Sequence, residues 1–327
     1  MTQERPVARG ASWLELAQSL GTRLEFRMLA LAIMIAITLS FLSPYFLTTN
    51  NLLNLLDQSV VVGIVAIGMT FVILTGGIDL SVGAVAGLTG IIFGLAVQDH
   101  SLPVSALLAV LSGAFVGLIS GVLISNFGLA AFVVTLGVMS IGRSLCYIFS
   151  GAISISNIPE AMSDFVYMTL LYVPMNVALL VLLYCLAWFY LTRCKGGRTI
   201  YAIGSNLEAA RTAGLNVTVY SILPYVISGA LSAVAAVLLA GQLLSVDPLA
   251  GNLLELDAIA AVVIGGASLF GGRGSIIGTL LGVFIMVMIR NGLNLLGVSP
   301  FWQGTAIGVI IIAAVLIERL LNRRGRA

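Results

Sequence analysis

Long apolar runs separated by short polar connections fill most of the chain. A transmembrane helix needs about 20 mostly apolar residues, and irregular backbone is tolerated at membrane depth only inside protein or beside water. The pattern therefore predicts an all-α polytopic membrane protein with about ten transmembrane helices. These lie near residues 28–43, 57–75, 79–97, 103–125, 129–150, 172–192, 218–241, 256–269, 275–290 and 302–320. The eighth run is too short to cross as a straight helix, so it is either broken or extended through Leu253 and Leu254.

The composition agrees with a lipid environment. Of the 327 residues, 60% are hydrophobic and 9% are charged, whereas about a quarter of the residues in a soluble domain are charged. The formal net charge is +2, and the basic residues are spread over loops and tails rather than one face. A nucleic-acid partner is therefore not expected.

Basic residues are gathered in the N-terminal segment, in the loop 193–198 and in the tail from Arg319 onward. Short cytoplasmic loops collect lysine and arginine, and an even number of spans places all three groups on one side. We therefore expect both termini in the cytoplasm. The expected organisation is a cytoplasmic or interfacial segment at 1–27, a transmembrane domain at 28–320 with a cytoplasmic loop at 193–217, and a basic tail at 321–327.

The N-terminal segment is charged and has no short apolar region followed by a small-residue cleavage site, so a signal peptide is not expected. Ser12 and Glu15 have the spacing of a capping box, and Leu16 and Leu20 share a helical face. Two interpretations stay open: an amphipathic helix on the membrane surface, and a frayed terminus with one helical turn.

Two glycine-containing segments resemble each other. Residues 73–83 and 262–272 coincide at a pair of glycines, a leucine and a later glycine. Transporters are often built from internal repeats with glycine-interrupted helices near the pathway. Glycine is also common wherever membrane helices pack closely, so a repeat and simple helix packing are both possible explanations.

The longest polar interruption, 193–217, contains one short predicted helix. Ser205 has the position of an N-cap, Glu208 that of its capping-box partner, and Gly214 can end the helix in a left-handed turn. A helix of about two turns is marginal alone in water, so a partner or its own spans must hold it. Its residues are Ser205, Asn206, Leu207, Glu208, Ala209, Ala210, Arg211, Thr212, Ala213 and Gly214.

The residues that usually perform catalysis are scarce. His100 is the one histidine and stands in a polar loop, and Cys146, Cys185 and Cys194 have no metal-ligand spacing. There is no GxxxxGK[ST] motif, and the single lysine, Lys195, precedes two glycines instead of following a glycine-rich loop. We expect no catalytic, cofactor or metal site in this chain.

Four runs in the same order closely resemble the permease subunits of bacterial ribose-type monosaccharide importers of the ATP-binding-cassette class. They are LTGGIDLSVG at 74–83, AIGSNLEAAR at 202–211, ELDAIAAVVIGG at 255–266 and NGLNLLGVS at 291–299. The resemblance extends from about Ala30 to Glu318. Each motif is weak by itself, but four in order make chance a poor explanation.

The resemblance implies a transport subunit of the bacterial inner membrane that forms a homodimer, or a pair with a close paralogue. It implies two ATPase subunits, which bind ATP and Mg²⁺, and a periplasmic protein that delivers the sugar. The helix Ser205–Gly214 is similar to the family's coupling helix, which fits a groove of the ATPase. Pentoses, hexoses and related polyols all stay open as substrates.

Polar residues inside apolar runs form a second group of candidates. Asp79 and Arg143 are the clearest, because a charge at mid-membrane costs about 2.5–3.5 kcal/mol on insertion scales. Asp79 follows two glycines, so it is either an N-cap or a pathway residue, and Ser81 shares its turn. Arg143 either pairs with a carboxylate, such as Asp79, or donates to sugar hydroxyls.

Asparagines and two other polar residues near the expected outer ends of spans have two interpretations. One is a polar mouth. In the other, Asn50 caps a helix and the rest are interfacial polar residues. The residues are Asn50, Asn51, Asn54, Asn291, Asn294, Ser299 and Gln303.

Two other classes of protein are weighed against the importer subunit. An ion-coupled secondary transporter would show buried carboxylates able to take H⁺ or Na⁺, and Asp79 is the one serious candidate. A membrane enzyme would need clustered acid, base or metal ligands, whereas Asp247, Glu255 and Asp257 have no histidine partner.

Overall fold

The structure is a computed structural model that describes residues 24–170, 173–299, 302–310, 312–313 and 316. Its helices are α1 Leu24–Leu42, α2 Thr49–Leu74, α3 Val82–Asp99, α4 Leu102–Phe127, α5 Ala131–Ser150, α6 Glu160–Tyr167, α7 Met175–Arg193, α8 Lys195–Ser205, α9 Leu207–Thr212, α10 Val217–Leu243, α11 Leu254–Ile264 and α12 Ile276–Leu295. Strands β1 Thr169–Leu170 and β2 Val173–Pro174 pair antiparallel before α7. The helix considered at Ser12–Leu20 and the basic tail lie outside the described residues.

In the described part of the chain, eight helices are long and apolar enough to cross a membrane: α1, α2, α3, α4, α5, α7, α10 and α12. They coincide with eight of the ten predicted runs, so the all-α polytopic fold is confirmed. The eighth run forms α11, whose 11 residues extend about 16 Å, roughly half of the hydrocarbon core. The tenth run is helical at the residues that the structure describes within it, 302–310, 312–313 and 316. The count of ten and the cytoplasmic ends stay predictions.

Glycines allow the central helices to approach closely. Gly113, Gly117 and Gly121 lie one turn apart on α4 and face the backbone of α10. A Cβ on Gly121 would lie 2.9 Å from Cα of Ile222, so a side chain does not fit without movement. The opposite face of α4 exposes apolar residues such as Phe115, as expected for a surface in contact with lipid.

Two helix ends share one geometry. α2 is followed by Gly76 with φ 82°, and α11 is followed by Gly266 with φ 88°. In both cases the glycine N–H bonds to the carbonyl three residues earlier, and the next N–H bonds to the carbonyl five residues earlier. The two glycine segments are therefore equivalent helix ends. The structural register pairs Gly76 with Gly266, one residue away from the sequence alignment, which pairs it with Gly265.

The segment 244–253 has irregular backbone that packs along α3. Val246 lies against Gly90, and the carbonyl of Ala250 lies against Gly87, so the segment follows α3 toward its N-terminus. Val246 also forms a β-bridge with Ile155, with N–H···O distances of 2.8 and 2.9 Å. This arrangement covers the non-helical backbone with protein.

Candidate functional site

The short polar helix is α9, Leu207–Thr212, and its N-cap differs from the predicted one. The side chain of Asn206 accepts a hydrogen bond from the N–H of Ala209 at 3.0 Å. Ser205 is instead the last residue of α8, and its hydroxyl donates to the carbonyl of Tyr201 at 2.8 Å. Gly214 has φ 77° and ends the helix as predicted. Ser205 was wrongly predicted as the cap because α8 continues to the residue before Asn206.

Glu208 does not complete a capping box. In a capping box the glutamate accepts a hydrogen bond from the N–H of the cap residue. The cap residue here is Asn206, and its N–H donates instead to the carbonyl of Ala202 in the last turn of α8. Glu208 instead pairs with Arg211 at 3.2 Å on the exposed surface. An exposed pair of this kind contributes at most about 1 kcal/mol, so it shapes the surface more than it stabilises the helix.

The exposed face of α9 is small and mixed in character. Leu207, Ala209 and Arg211 are exposed, whereas Ala210 is buried against the chain itself. Ala209 and Ala213 therefore fit the predicted close approach of another surface, and Ala210 does not.

α8 joins this helix to the end of α2 and to the loop that follows α11. The N–H of Gly272 donates to the carbonyl of Leu74 at 2.9 Å, and Gly204 packs directly against both groups. The hydroxyl of Tyr201 donates to the carbonyl of Gly274 at 3.0 Å. Burial raises the pKa of Tyr201 above its ordinary value, so the hydroxyl stays protonated as a donor. α8 therefore connects α9 to the end of α2 and to the loop that follows α11.

Asp79 is buried in the turn between α2 and α3, but it is not the N-cap of α3. One carboxylate oxygen accepts from the N–H and the hydroxyl of Ser81 at 3.0 and 2.6 Å. The other oxygen accepts from the hydroxyl of Ser228 on α10 at 2.8 Å. The cap position belongs to Ser81, two residues later. Asp79 and Ser81 together therefore connect the turn to α10.

Arg143 does not pair with Asp79. Its guanidinium donates to the carbonyls of Ala250 at 2.8 Å and Pro248 at 3.4 Å, and so connects α5 to the segment 244–253. Asp79 was the wrong partner, because the irregular backbone of this segment offers carbonyl acceptors to the arginine, and the carboxylate on which the charge of Arg143 acts is that of Glu255. Glu255 lies near the same region, and its Oε2 has no hydrogen-bond partner among the described residues.

Several asparagines connect helices rather than line an opening. Asn51 of α2 and Asn291 of α12 are buried and exchange two amide hydrogen bonds, at 2.8 and 3.0 Å. Asn294 accepts from Gln303 at 2.6 Å. The predicted cap at Asn50 is wrong, because Thr48 caps α2.

A cavity of about 430 Å³ lies between α2, α10, α12 and the start of α11. Its apolar walls include Leu239 and Met286. Its polar lining consists of Asn54, Asp57, Gln58, Tyr167, Gln242, Asn252, Asp257 and Arg290. Of the asparagines considered as a polar mouth, Asn54 lines this cavity.

The charged groups of the cavity are partly compensated. Arg290 pairs with Asp257 at 2.7 Å, and the amide of Asn176 donates to Asp57 at 2.7 Å. The Nε2 of Gln242 is buried and has no hydrogen-bond partner among the described residues. Burial and then the negative charge of Asp57 raise the pKa of Tyr167, which keeps its hydroxyl neutral.

The sequence interpretation missed Asp57, Gln242 and the Asp257–Arg290 pair. Asp57 and Arg290 stand at the ends of predicted spans, where a charged residue is easily assigned to the interface. The sequence did contain a signal for the pair, because Asp257 and Arg290 stand at the ends of different predicted spans, where a carboxylate and a guanidinium can meet. The sequence gives no distance between them.

Eight membrane-spanning helices in the described residues, a cavity of mixed polar and apolar lining between them and an exposed polar helix define a membrane permease. Residues 51–315 match the family described as "Branched-chain amino acid transport system / permease component", and the chain belongs to this family. Its members are transport subunits and not enzymes, as predicted. The predicted location in the bacterial inner membrane agrees with this family and with the apolar helices.

Relatives with similarity over most of the chain are sugar permeases. The ribose import permease RbsC of Bacillus subtilis is 42% identical over 288 residues, 87% of this chain and 89% of that protein. The D-allose transport system permease AlsC of Escherichia coli is 37% identical, over 90% of both chains. The fructose import permease FrcC of Rhizobium meliloti is 38% identical, over 85% of this chain and 80% of that protein. The resemblance to the ribose-type permeases is thereby confirmed. No solved structure matches the chain.

Proposed function

We propose that this chain is the translocating subunit of an ATP-driven importer of a small, ribose-like monosaccharide. The observation that supports it most directly is the similarity to ribose, allose and fructose permeases over about nine tenths of the chain. The family description names branched-chain amino acids instead. The polar lining of the cavity favours a sugar, because an apolar side chain would leave buried polar groups unpaired.

The energy for transport comes from a separate ATPase that binds ATP and Mg²⁺, since the sequence has no phosphate-binding lysine motif of its own. The exposed face of α9 is the docking surface for this ATPase, and an extracytoplasmic binding protein delivers the sugar at the opposite end. The working unit is a homodimer or a pair with a close paralogue. Both termini and α9 lie in the cytoplasm.

ATP binding closes the two ATPase subunits and displaces α9. Through α8 the displacement reaches the junction of Leu74, Gly204 and Gly272, where the end of α2 meets the loop that follows α11. The pathway then opens outward to receive sugar and closes after hydrolysis. In this scheme the roles of the remaining polar candidates are structural. Asp79, Ser81 and Arg143 hold buried turns in place, and Asn291 and Asn294 hold helices together.

Ala209→Trp in the reconstituted complex tests the coupling role. A tryptophan on the exposed face should reduce sugar-stimulated ATP hydrolysis about tenfold, which corresponds to about 1.4 kcal/mol of lost docking. The matched control is Leu129→Trp, because Leu129 is exposed on another turn at the same end of the protein. This end is marked by the bond from Ser125 to the carbonyl of Thr218 at the start of α10.

Equal activity of the Ala209→Trp and Leu129→Trp complexes would contradict docking on α9. Uptake driven by a Na⁺ or H⁺ gradient without ATP would favour the ion-coupled transporter, for which buried Asp79 is the motivating residue.

A further inference from the structure

The cavity between α2, α10, α11 and α12 has hydrogen-bonding groups that the chain itself leaves unused. The buried Nε2 of Gln242 has no partner among the described residues. Asp57 and Asp257 each use one oxygen, Oδ1, for a bond to Asn176 and Arg290 respectively. A carboxylate offers about four acceptor sites, so both retain acceptor capacity. A buried unpaired amide is unfavourable, and because this nitrogen is closed to solvent, the Gln242 amide must turn before a ligand can bond to it.

These groups match a neutral molecule with several hydroxyls. A sugar hydroxyl donates to a carboxylate and accepts from a guanidinium, so neighbouring hydroxyls can bond to Asp57 and Arg290 together. The Tyr167 hydroxyl is a further neutral partner at the rim. Apolar residues such as Leu239 and Met286 supply surface for the C–H faces of a sugar ring.

The charge and size of the cavity disfavour anions, divalent cations and oligosaccharides. Asp257 is neutralised by Arg290, which leaves Asp57 as the uncompensated charge, so an anion is disfavoured. No group of three potential metal ligands occurs among the described residues, so a divalent cation has no cage. A volume of about 430 Å³ lies in the lower part of the range for small-molecule pockets, roughly 300–1,000 Å³. It suits one monosaccharide rather than an oligosaccharide.

We propose that this cavity is a sugar-binding site within a single subunit, in which Asp57, Gln242 and the Asp257–Arg290 pair bind one monosaccharide. The proposal rests on the proposed import function and deepens it, because the permease then selects its substrate in addition to the binding protein. The bound sugar sits beside the N-terminus of α11, and Gly272 in the loop that follows this helix packs against Gly204 of α8. Occupancy of the site is thereby linked to the junction at Gly204.

Saturation-transfer NMR with ribose, allose and fructose on the purified chain in detergent tests the site without ATPase or binding protein. We expect sugar signals from the unaltered chain, with leucine as the apolar comparison giving none. Gln242→Leu replaces the amide with an apolar group of similar volume, and it should weaken sugar binding about tenfold. Asp57→Asn should weaken it at least as much, because it removes a charged acceptor.

Gln98→Leu is the matched control, since Gln98 bonds to carbonyls of Gly94 and Asn157 away from the cavity. It should bind sugar like the unaltered chain. Unfolding temperatures of all variants separate lost binding from lost folding, and Asp57→Asn serves as the isosteric substitution if Gln242→Leu is unstable.

Uptake in the complete complex separates the two proposals. If the unaltered complex imports sugar while the purified chain gives no sugar signal, or while both cavity variants bind sugar normally, the cavity site is refuted and the import function stands. If the unaltered complex imports none of the three sugars, the import function itself fails.

Discussion

Replacing Gly204 by alanine tests the junction between α8, the end of α2 and the loop that follows α11. A Cβ at this position would lie 2.5 Å from the backbone nitrogen of Gly272 and closer still to the carbonyl oxygen of Leu74. These two groups are the partners of a 2.9 Å hydrogen bond. The added methyl group would therefore press on the bond that joins the two loops.

The expected destabilisation follows from this geometry. Ordinary contacts of a Cβ begin at 3.4 Å, so Gly272 and Leu74 must each move by roughly an ångström. Overpacking of this size costs about 1–3 kcal/mol, and a lost hydrogen bond adds about 0.5–1.5 kcal/mol. Alanine returns up to about 1 kcal/mol through its better helix propensity. The net loss in the free energy of unfolding should be about 2 kcal/mol, within a range of about 0.5–4.5 kcal/mol.

The assay combines stability with coupling. Unfolding of the purified variant in detergent gives the free-energy change, and the ratio of imported sugar to hydrolysed ATP in the reconstituted complex gives the coupling. Gly204→Ala should lower both quantities. Gly137→Ala is the matched control, because this helical glycine on α5 has no heavy atom within 4 Å of an added Cβ.

Equal stability of Gly204→Ala and Gly137→Ala, within about 0.5 kcal/mol, would refute the close packing at Gly204. A stability loss with an unchanged ratio of sugar to ATP would refute the transmission of movement through the junction.

Three further predictions concern other buried contacts and the orientation of the chain. Asn51→Ala and Asn291→Ala should show a coupling energy of about 1–3 kcal/mol in a double-mutant cycle of unfolding, because they share two buried bonds; additive losses would contradict this. Arg143→Gln should speed proteolysis within segment 244–253 while the complex still assembles, since two carbonyls there lose their donor; unchanged cleavage would count against that role. In variants with one cysteine each, a membrane-impermeant maleimide should label His100→Cys from outside and native Cys194 only in inverted vesicles; the reverse pattern would invert the proposed topology.

The local pattern of residues predicted most of the membrane-spanning helices, because each spans lipid by its own length and apolarity. The structure also confirmed Gly214 as a helix end, since a left-handed turn there depends on one residue. The prediction of Ser205 as the cap was wrong for a related reason. Whether Ser205 or Asn206 caps α9 depends on where the preceding helix stops, and α8 is held by distant Gly272 and Gly274.

Only the tertiary structure decided which polar groups meet. Asp57 reaches Asn176, 119 positions away in the chain, and Asn51 reaches Asn291, 240 positions away. Arg143 finds backbone carbonyls where a carboxylate was expected, because irregular backbone has acceptors that no side-chain pattern reveals. The sequence by itself determined that the chain lies in a membrane, since burial in lipid depends on the hydrophobicity of each segment. The cavity came from the packing of separate helices, because hydrogen bonds depend on atomic distances that the order of residues does not state.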